Sequence, residues 1–373
     1  MMMRGAGGHH RHVMTAVLAT TVALASSAVA QSPSSDTPEA FGPALKRWAA
    51  KHKATQAFVV VRHGSRIVYR SAIGDIDPKA PVHLASLSKA VTGACVATLI
   101  RDGKLAFDST VSSALTTFIA LHGKLRDTRL ARATVAQLLT HRAGFGTKEN
   151  DPASGPALFR YLKSNTAAAP PTPAFVTRVL DQRLPNHPGA KYVYSNTGYL
   201  ALGAIIEEAT SGEYAPHCRD AVLAPLGLAA ELEPAWRVMW SYGGWRMTAD
   251  DYLTFLDLFA AEDQRLGAAA KSWMLDPTGK AARGEFWYGL GVNVTKADGG
   301  GVMVRHFGSW DYDMSGAKDG VLQASFLTFA ARQADGTSWF AYAAPRPAPD
   351  DNKPGEELAR NLLTAYRAVR KWD

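Results

Sequence analysis

Strand patterns sit at both ends of this chain and helical patterns fill its middle, an arrangement few folds satisfy. Residues 56–62 and 66–70 are apolar, β-branched runs joined by His63-Gly64-Ser65, the spacing of a hairpin. From Ser86 to about residue 280 helical periodicity dominates, broken by Gly/Pro-rich loops at 150–156 and 167–173. Strand patterns return at 302–307, then at 324–331 and 338–343 across Ala334-Asp335-Gly336. Amphipathic helices are expected at 37–54, at 356–372 and after the capping pattern Thr248 to Asp251. The economical solution is one mixed sheet built from both ends and covered by the terminal helices. This predicts a sheet domain of residues 31–85 plus 285–373 and a helical domain of 86–284, with a site in the cleft between them.

Residues 1–30 are read separately. Arg4 and Arg11 precede a weakly apolar run, and Ala28-Val29-Ala30 has the small residues of a cleavage site. The expectation is a signal peptide, a periplasmic or secreted product, and no membrane insertion after its removal. Net charge falls from +8 to +6 on losing the two arginines of this segment, 8 − 2. The remaining basic residues are scattered, so nucleic acid is not expected as a partner. The cysteines, Cys95 and Cys218, permit one disulfide in an exported protein; two buried free thiols are the simpler reading. No CxxC, HExxH or EF-hand spacing calls for a metal, and no cofactor is expected.

Three segments bear chemistry. Ser86-Leu87-Ser88-Lys89 opens the apolar run 90–100, which Arg101-Asp102-Gly103 ends. Serine and lysine three apart share a helix face, where the lysine and the helix dipole favour an oxyanion on the serine. A buried lysine with lowered proton affinity also serves as base for it. The same residues fit a plain helix N-cap. A second match, Ser315 to Lys318, sits in a turn-like context without such a helix. Tyr194-Ser195-Asn196 follows Pro188-Gly189 and leads into the apolar run 200–209. Tyr194 suits a general base if a cation lowers its pKa, and Asn196 suits a substrate carbonyl or the lysine; taken alone, ring packing and helix capping are the simpler account of both. His306-Phe307-Gly308-Ser309-Trp310 closes a strand pattern, where a glycine admits a close approach of substrate and the Ser309 N–H pairs with that of Ser86 as an oxyanion hole. Trp245, Tyr288 and Trp310 are candidate apolar walls, though each also fits simple packing.

In order along the chain, SLSK, TVAQLLTHRAGFG (134–146), PGAKYVYSNTGY, GGWRMTADDYLTF, YGLGV (288–292) and HFG resemble the class C β-lactamase-like serine hydrolases, which include D-alanyl-D-alanine carboxypeptidases, D-aminopeptidases and esterases. The resemblance spans most of residues 40–345. It implies an α+β fold, a predominantly antiparallel sheet flanked by terminal helices with an inserted all-α domain. It also implies Ser86 as nucleophile, Lys89 as its partner, Tyr194 as base, Asn196 on substrate or Lys89, and the Ser86 and Ser309 N–H groups as oxyanion hole. His141 is structural on this pattern. Substrate contacts would come from Asn196, His306, Gly308, Ser309 and Trp310.

One departure redirects the expected activity. Dedicated β-lactamases and penicillin-binding proteins usually carry Lys-Thr-Gly where this chain has His306-Phe307-Gly308. A histidine is only partly charged near neutrality, so the permanent cation that grips a carboxylate is missing. The expectation is therefore hydrolysis of a small-molecule ester, amide or peptide through an acyl-serine on Ser86. The alternatives are a β-lactamase or D-alanyl-D-alanine carboxypeptidase, and a catalytically silent relative that binds cell-wall peptide. An α/β-hydrolase is excluded because no GxSxG elbow occurs. Oligomeric state is not legible.

Overall fold

A computed structural model describes residues 36–147, 150–154, 157–158, 173–232, 234–280, 286–297, 300–313, 323–348 and 351–372. The expected signal at 1–30 and the second Ser-x-x-Lys at 315–318 lie outside the described residues. Residues 35–373 group as one compact unit.

Among the described residues, ten strands are β1 (Gln56–His63), β2 (Arg66–Ile73), β3 (Val82–His83), β4 (Ala230–Leu232), β5 (Trp245–Met247), β6 (Phe286–Gly289), β7 (Val292–Lys296), β8 (Val302–Asp313), β9 (Gln323–Arg332) and β10 (Ser338–Ala344). Seven of them form one sheet in the order β2-β1-β10-β9-β8-β7-β6. Each of its neighbouring pairs runs antiparallel, so the sheet is antiparallel rather than mixed. β1 joins the two ends of the chain, with Arg62 opposite Ser338 and Gln56 opposite Ala344.

Alternation along β1 feeds two cores. Ala57, Val59 and Val61 face α1 (Phe41–His52) and the closing helix Lys353–Ala368, packing with Phe41, Leu45, Trp48, Leu358 and Leu362. The Trp48 indole N–H donates to the Pro354 carbonyl at 2.7 Å and ties these helices together. Phe58 and Val60 face the larger core under α2 (Ser88–Arg101). Burial on both faces explains why β1 reads as a continuous apolar run.

α2 is buried all round except near its end, as expected of a central helix. It crosses the two-residue β6–β7 turn closely. Leu290 and Gly291 both take positive φ there, 51° and 85°, the handedness that hairpin turns need. A Cβ on Gly93 would lie 2.1 Å from the Leu290 carbonyl oxygen, and one on Gly291 would lie 2.1 Å from that of Lys89. Backbone therefore meets backbone, and glycine is required on each side.

The structure departs from the sequence reading in three places. The stretch 86–284 holds β4 and β5, which with β3 make a second, three-stranded sheet. β8 extends to Asp313, so His306-Phe307-Gly308 lies within a strand and not at its end. Cys95 and Cys218 are joined as a disulfide, correcting the reading as free thiols. α2 and the helix Tyr214–Cys218 pack with these Cα atoms 5.5 Å apart, the ordinary bridging separation.

Candidate active site

Ser86 lies on the 3-10 turn Ala85–Leu87 that feeds α2. Ala85 holds a φ of 47°, an uncommon conformation for a residue with a Cβ. Neighbouring elements fix this turn. The Leu84 N–H donates to the Trp245 carbonyl at 2.9 Å, and the Trp245 N–H donates to Ser88 Oγ at 3.1 Å. Tyr252 OH donates to the Leu87 carbonyl at 3.1 Å, and Thr328 Oγ1 to that of Leu84 at 3.0 Å. The turn is thus held by β5, β9 and the helix Ala249–Phe255, while Ser86 itself stays half-buried and reachable.

Lys89, one turn on, is fully buried. Its Nζ lies 3.1 Å from Ser86 Oγ, 2.8 Å from Asn196 Oδ1 and 2.9 Å from the Tyr242 carbonyl oxygen. It also stands 4.9 Å from the Tyr194 ring centre. Burial drives its pKa well below the usual lysine range, and the Asp151 carboxylate opposes that shift.

Tyr194 hydrogen-bonds to the Ser86 side chain. Burial pushes its pKa up, and the Ser86 bond lowers it only in part. The lowered phenol pKa that a tyrosine base needs is therefore not what this site produces.

Asn196 starts α3 (Asn196–Thr210), and its Nδ2 donates to the Ala153 carbonyl at 3.4 Å. The expectation for Asn196 offered substrate or Lys89, and its oxygen faces Lys89. His141 has a φ of 56°; its Nδ1 accepts the Ser195 N–H at 3.2 Å and its ring packs 4.3 Å from that of Tyr194. It thus supports the Tyr194 segment from beneath.

His306 Nε2 is 2.8 Å from Tyr288 OH, and its Nδ1 bonds the Phe307 carbonyl. Burial first, and then the nearby Lys89, lowers its pKa to about 3. The partly charged histidine expected from the sequence is therefore neutral at ordinary pH, accepting the tyrosine proton at Nε2 and donating from Nδ1. A Cβ on Gly308 would lie 2.3 Å from the Leu84 carbonyl oxygen and 2.2 Å from Thr328 Oγ1, so the turn that carries Ser86 already requires a glycine there. Ser309 follows on β8, opposite Leu327 of β9. The proposed walls are mostly core. Trp245 is fully buried with its indole N–H on Tyr214 OH at 3.0 Å, Tyr288 is buried against His306, and Trp310 is 6% exposed and packs on Trp236.

Two participants escaped the sequence reading. One is the Tyr242 carbonyl, a backbone atom that no side-chain motif specifies. The other is Asp151, in a loop whose irregular composition gave no spacing to read. Together the described residues hold a reachable hydroxyl between a buried amine and a phenol, an arrangement suited to moving a proton off the serine.

Comparison with known proteins gives the same frame. The family model described as Beta-lactamase matches residues 43–317. A 126-residue stretch is 32% identical to FimD, serogroup D, of Dichelobacter nodosus, a protein named for fimbrial assembly. It covers 34% of this chain and only 28% of FimD, well under two thirds of that relative's length. Among solved structures, a D-stereospecific amidohydrolase from Streptomyces sp. superposes with a TM-score of 0.67 at 19% identity, covering 85% of this chain and 96% of that one. A class C beta lactamase from Rhodobacter sphaeroides gives 0.65 at 16% identity, over 88% and 99%. At such identities these two structures speak to the fold alone.

Proposed function

Because the chain belongs to the beta-lactamase family, we propose that it is an exported serine hydrolase, cleaving a small ester or amide through an acyl intermediate on Ser86. The observation that carries this reading is the environment of the Lys89 amine. A neutral amine has two N–H donors and one lone pair. Asn196 Oδ1 and the Tyr242 carbonyl take the donors, leaving the lone pair for the Ser86 hydroxyl at 3.1 Å. Burial favours the neutral form, and the Asp151 carboxylate opposes it in part.

Ser86 Oγ attacks the substrate carbonyl as Lys89 Nζ takes its proton. The carbonyl oxygen becomes an oxyanion, received by the backbone N–H groups of Ser86 and Ser309. Tyr194, a neutral phenol bonded to Ser86, then passes a proton to the leaving alcohol or amine and is resupplied from Lys89. Water repeats the sequence on the acyl-serine and releases the acid. The roles of Lys89 and Tyr194 thus divide as base and relay, where the family resemblance alone put the base on Tyr194.

A neutral His306 bonded to Tyr288 offers no charge to a substrate carboxylate. This favours esters and uncharged amides over β-lactams, whose recognition elsewhere uses a lysine at this place. Export is supported by the disulfide, which persists in oxidising compartments, together with the signal-like sequence at 1–30.

The test is a panel of short-chain nitrophenyl esters, D-alanyl peptides and nitrocefin, run on the wild type and on Ser86→Ala. Ester turnover should exceed nitrocefin turnover, and the variant should lose it by about 10³-fold or more. Nitrocefin as the better substrate by orders of magnitude would make the chain a β-lactamase. Full activity in Ser86→Ala would end the acyl-serine reading.

A further inference from the structure

Asp151 is a buried carboxylate near the proposed nucleophile that the steps above do not use. It is 1% exposed. Its carboxylate sits at the first turn of α3, where the helix dipole favours negative charge. Five donors converge on it. Oδ2 accepts from Ser195 Oγ at 2.7 Å, the Asn196 N–H at 2.7 Å and the Thr197 N–H at 3.2 Å. Oδ1 accepts from Thr197 Oγ1 at 2.5 Å and the Ala153 N–H at 2.9 Å. Every one of these bonds brings a donor to it, and the two acceptor oxygens of a carboxylate match that set. An amide in its place would turn a donor toward donors.

The residues it holds are those that aim the site. Asn196 gives its N–H to Asp151 and its Oδ1 to Lys89. Tyr194 precedes the clamped Ser195. We propose that Asp151 is a positioning residue of the reaction: its buried carboxylate fixes the 194–197 segment so that Asn196 holds the Lys89 amine against Ser86, and its negative charge acts on that amine. This rests on the acyl-serine reading and adds to it a residue that never touches substrate.

The charge has a direction. Burial of Lys89 alone strips the amine of proton affinity, and Asp151 restores part of it. The other titratable groups around Lys89 are Tyr194, Tyr199, Tyr242, His141 and His306. Burial raises the three phenols and lowers the two imidazoles, so all five are uncharged near neutrality. Asp151 is then the negative charge that faces the amine among the described residues.

The experiment reads kcat/KM for a nitrophenyl ester against pH. Its acid limb reports the free enzyme's base. Asp151→Asn should lower kcat/KM about 10- to 100-fold, as small misplacements do. It should also move the acid limb to lower pH by roughly one unit, because the amine loses its stabilising charge. The paired variant Ser195→Ala with Thr197→Val keeps the charge but removes two of its donors. It should lower the rate with the limb in place. An acid limb unmoved in a folded Asp151→Asn would overturn the electrostatic role. If Asp151→Asn does not fold, an undiminished rate in the paired variant would overturn the positioning role. Activity surviving in Ser86→Ala would instead defeat the acyl-serine reading, so the two failures are distinct.

Discussion

At the scale of single residues, the site is governed by which groups burial leaves uncharged. His306 titrates at about 3 in the folded chain, against about 6.5 in an unfolded one. Its folded value is depressed, so its contribution to stability is complete above about pH 6.5 and is lost as pH falls toward 3. Between pH 7 and pH 5 the wild type should lose about 2 kcal/mol from this group alone. His306→Gln still offers Tyr288 an acceptor and should lose that much less over the same interval, measured by urea unfolding at both pH values; equal losses would place the acid sensitivity elsewhere. The sequence made four participants legible. Ser86 with Lys89 was marked by helical spacing before an apolar run, and Tyr194 with Asn196 by a loop entering another. It concealed Asp151 and the Tyr242 carbonyl, since neither lies at a fixed spacing from what it holds. Nor did it reveal the burial that shifts Tyr194 and His306. Those shifts depend on how much surrounding protein excludes water, a property of the folded state and not of either residue type.

At the scale of elements, α2 and the β6–β7 hairpin carry the geometry. The Cβ of an alanine at position 93 would stand 2.1 Å from the Leu290 carbonyl oxygen, a backbone atom that cannot rotate away. Gly93→Ala should therefore cost about 1–3 kcal/mol, as core overpacking does, and more if the helix cannot shift. Because Lys89 lies one turn earlier on the same helix, ester turnover should fall as well. Unchanged melting and activity would mean that α2 sits further from the hairpin. Strands β1 and β2 were legible from β-branched runs, and β9 and β10 from apolar, aromatic-rich runs, around short turns. β4 and β5 were not, because strands of three residues give no alternation to detect. The extra length of β8 was missed for a related reason: Gly308, Ser309 and Asp311 read as loop residues when the strand that pairs with them is out of view.

At the scale of the whole molecule, the disulfide closes a loop of 123 residues between α2 and the helix Tyr214–Cys218. Replacing both cysteines by alanine should lower unfolding free energy by about 2–4 kcal/mol, and reduction of the wild type should reproduce the loss. No change on reduction would show that the bridge does not constrain the unfolded chain. The pairing was illegible because two cysteines inside helical patterns look alike whether or not the helices meet. The antiparallel sheet was legible only in outline: strands at both ends announced a shared sheet, while its order needed the partners in three dimensions.

The pairing of β1 with β10 has a consequence for biosynthesis. During synthesis the first hairpin leaves the ribosome long before the strand that completes it, and its apolar flanks stay uncovered meanwhile. A chain truncated ahead of residue 338 would keep the whole Ser86, Lys89 and Tyr194 set yet have no strand to seat against β1. Such a fragment should be aggregation-prone and a natural client for chaperones, however intact its chemistry looks on paper.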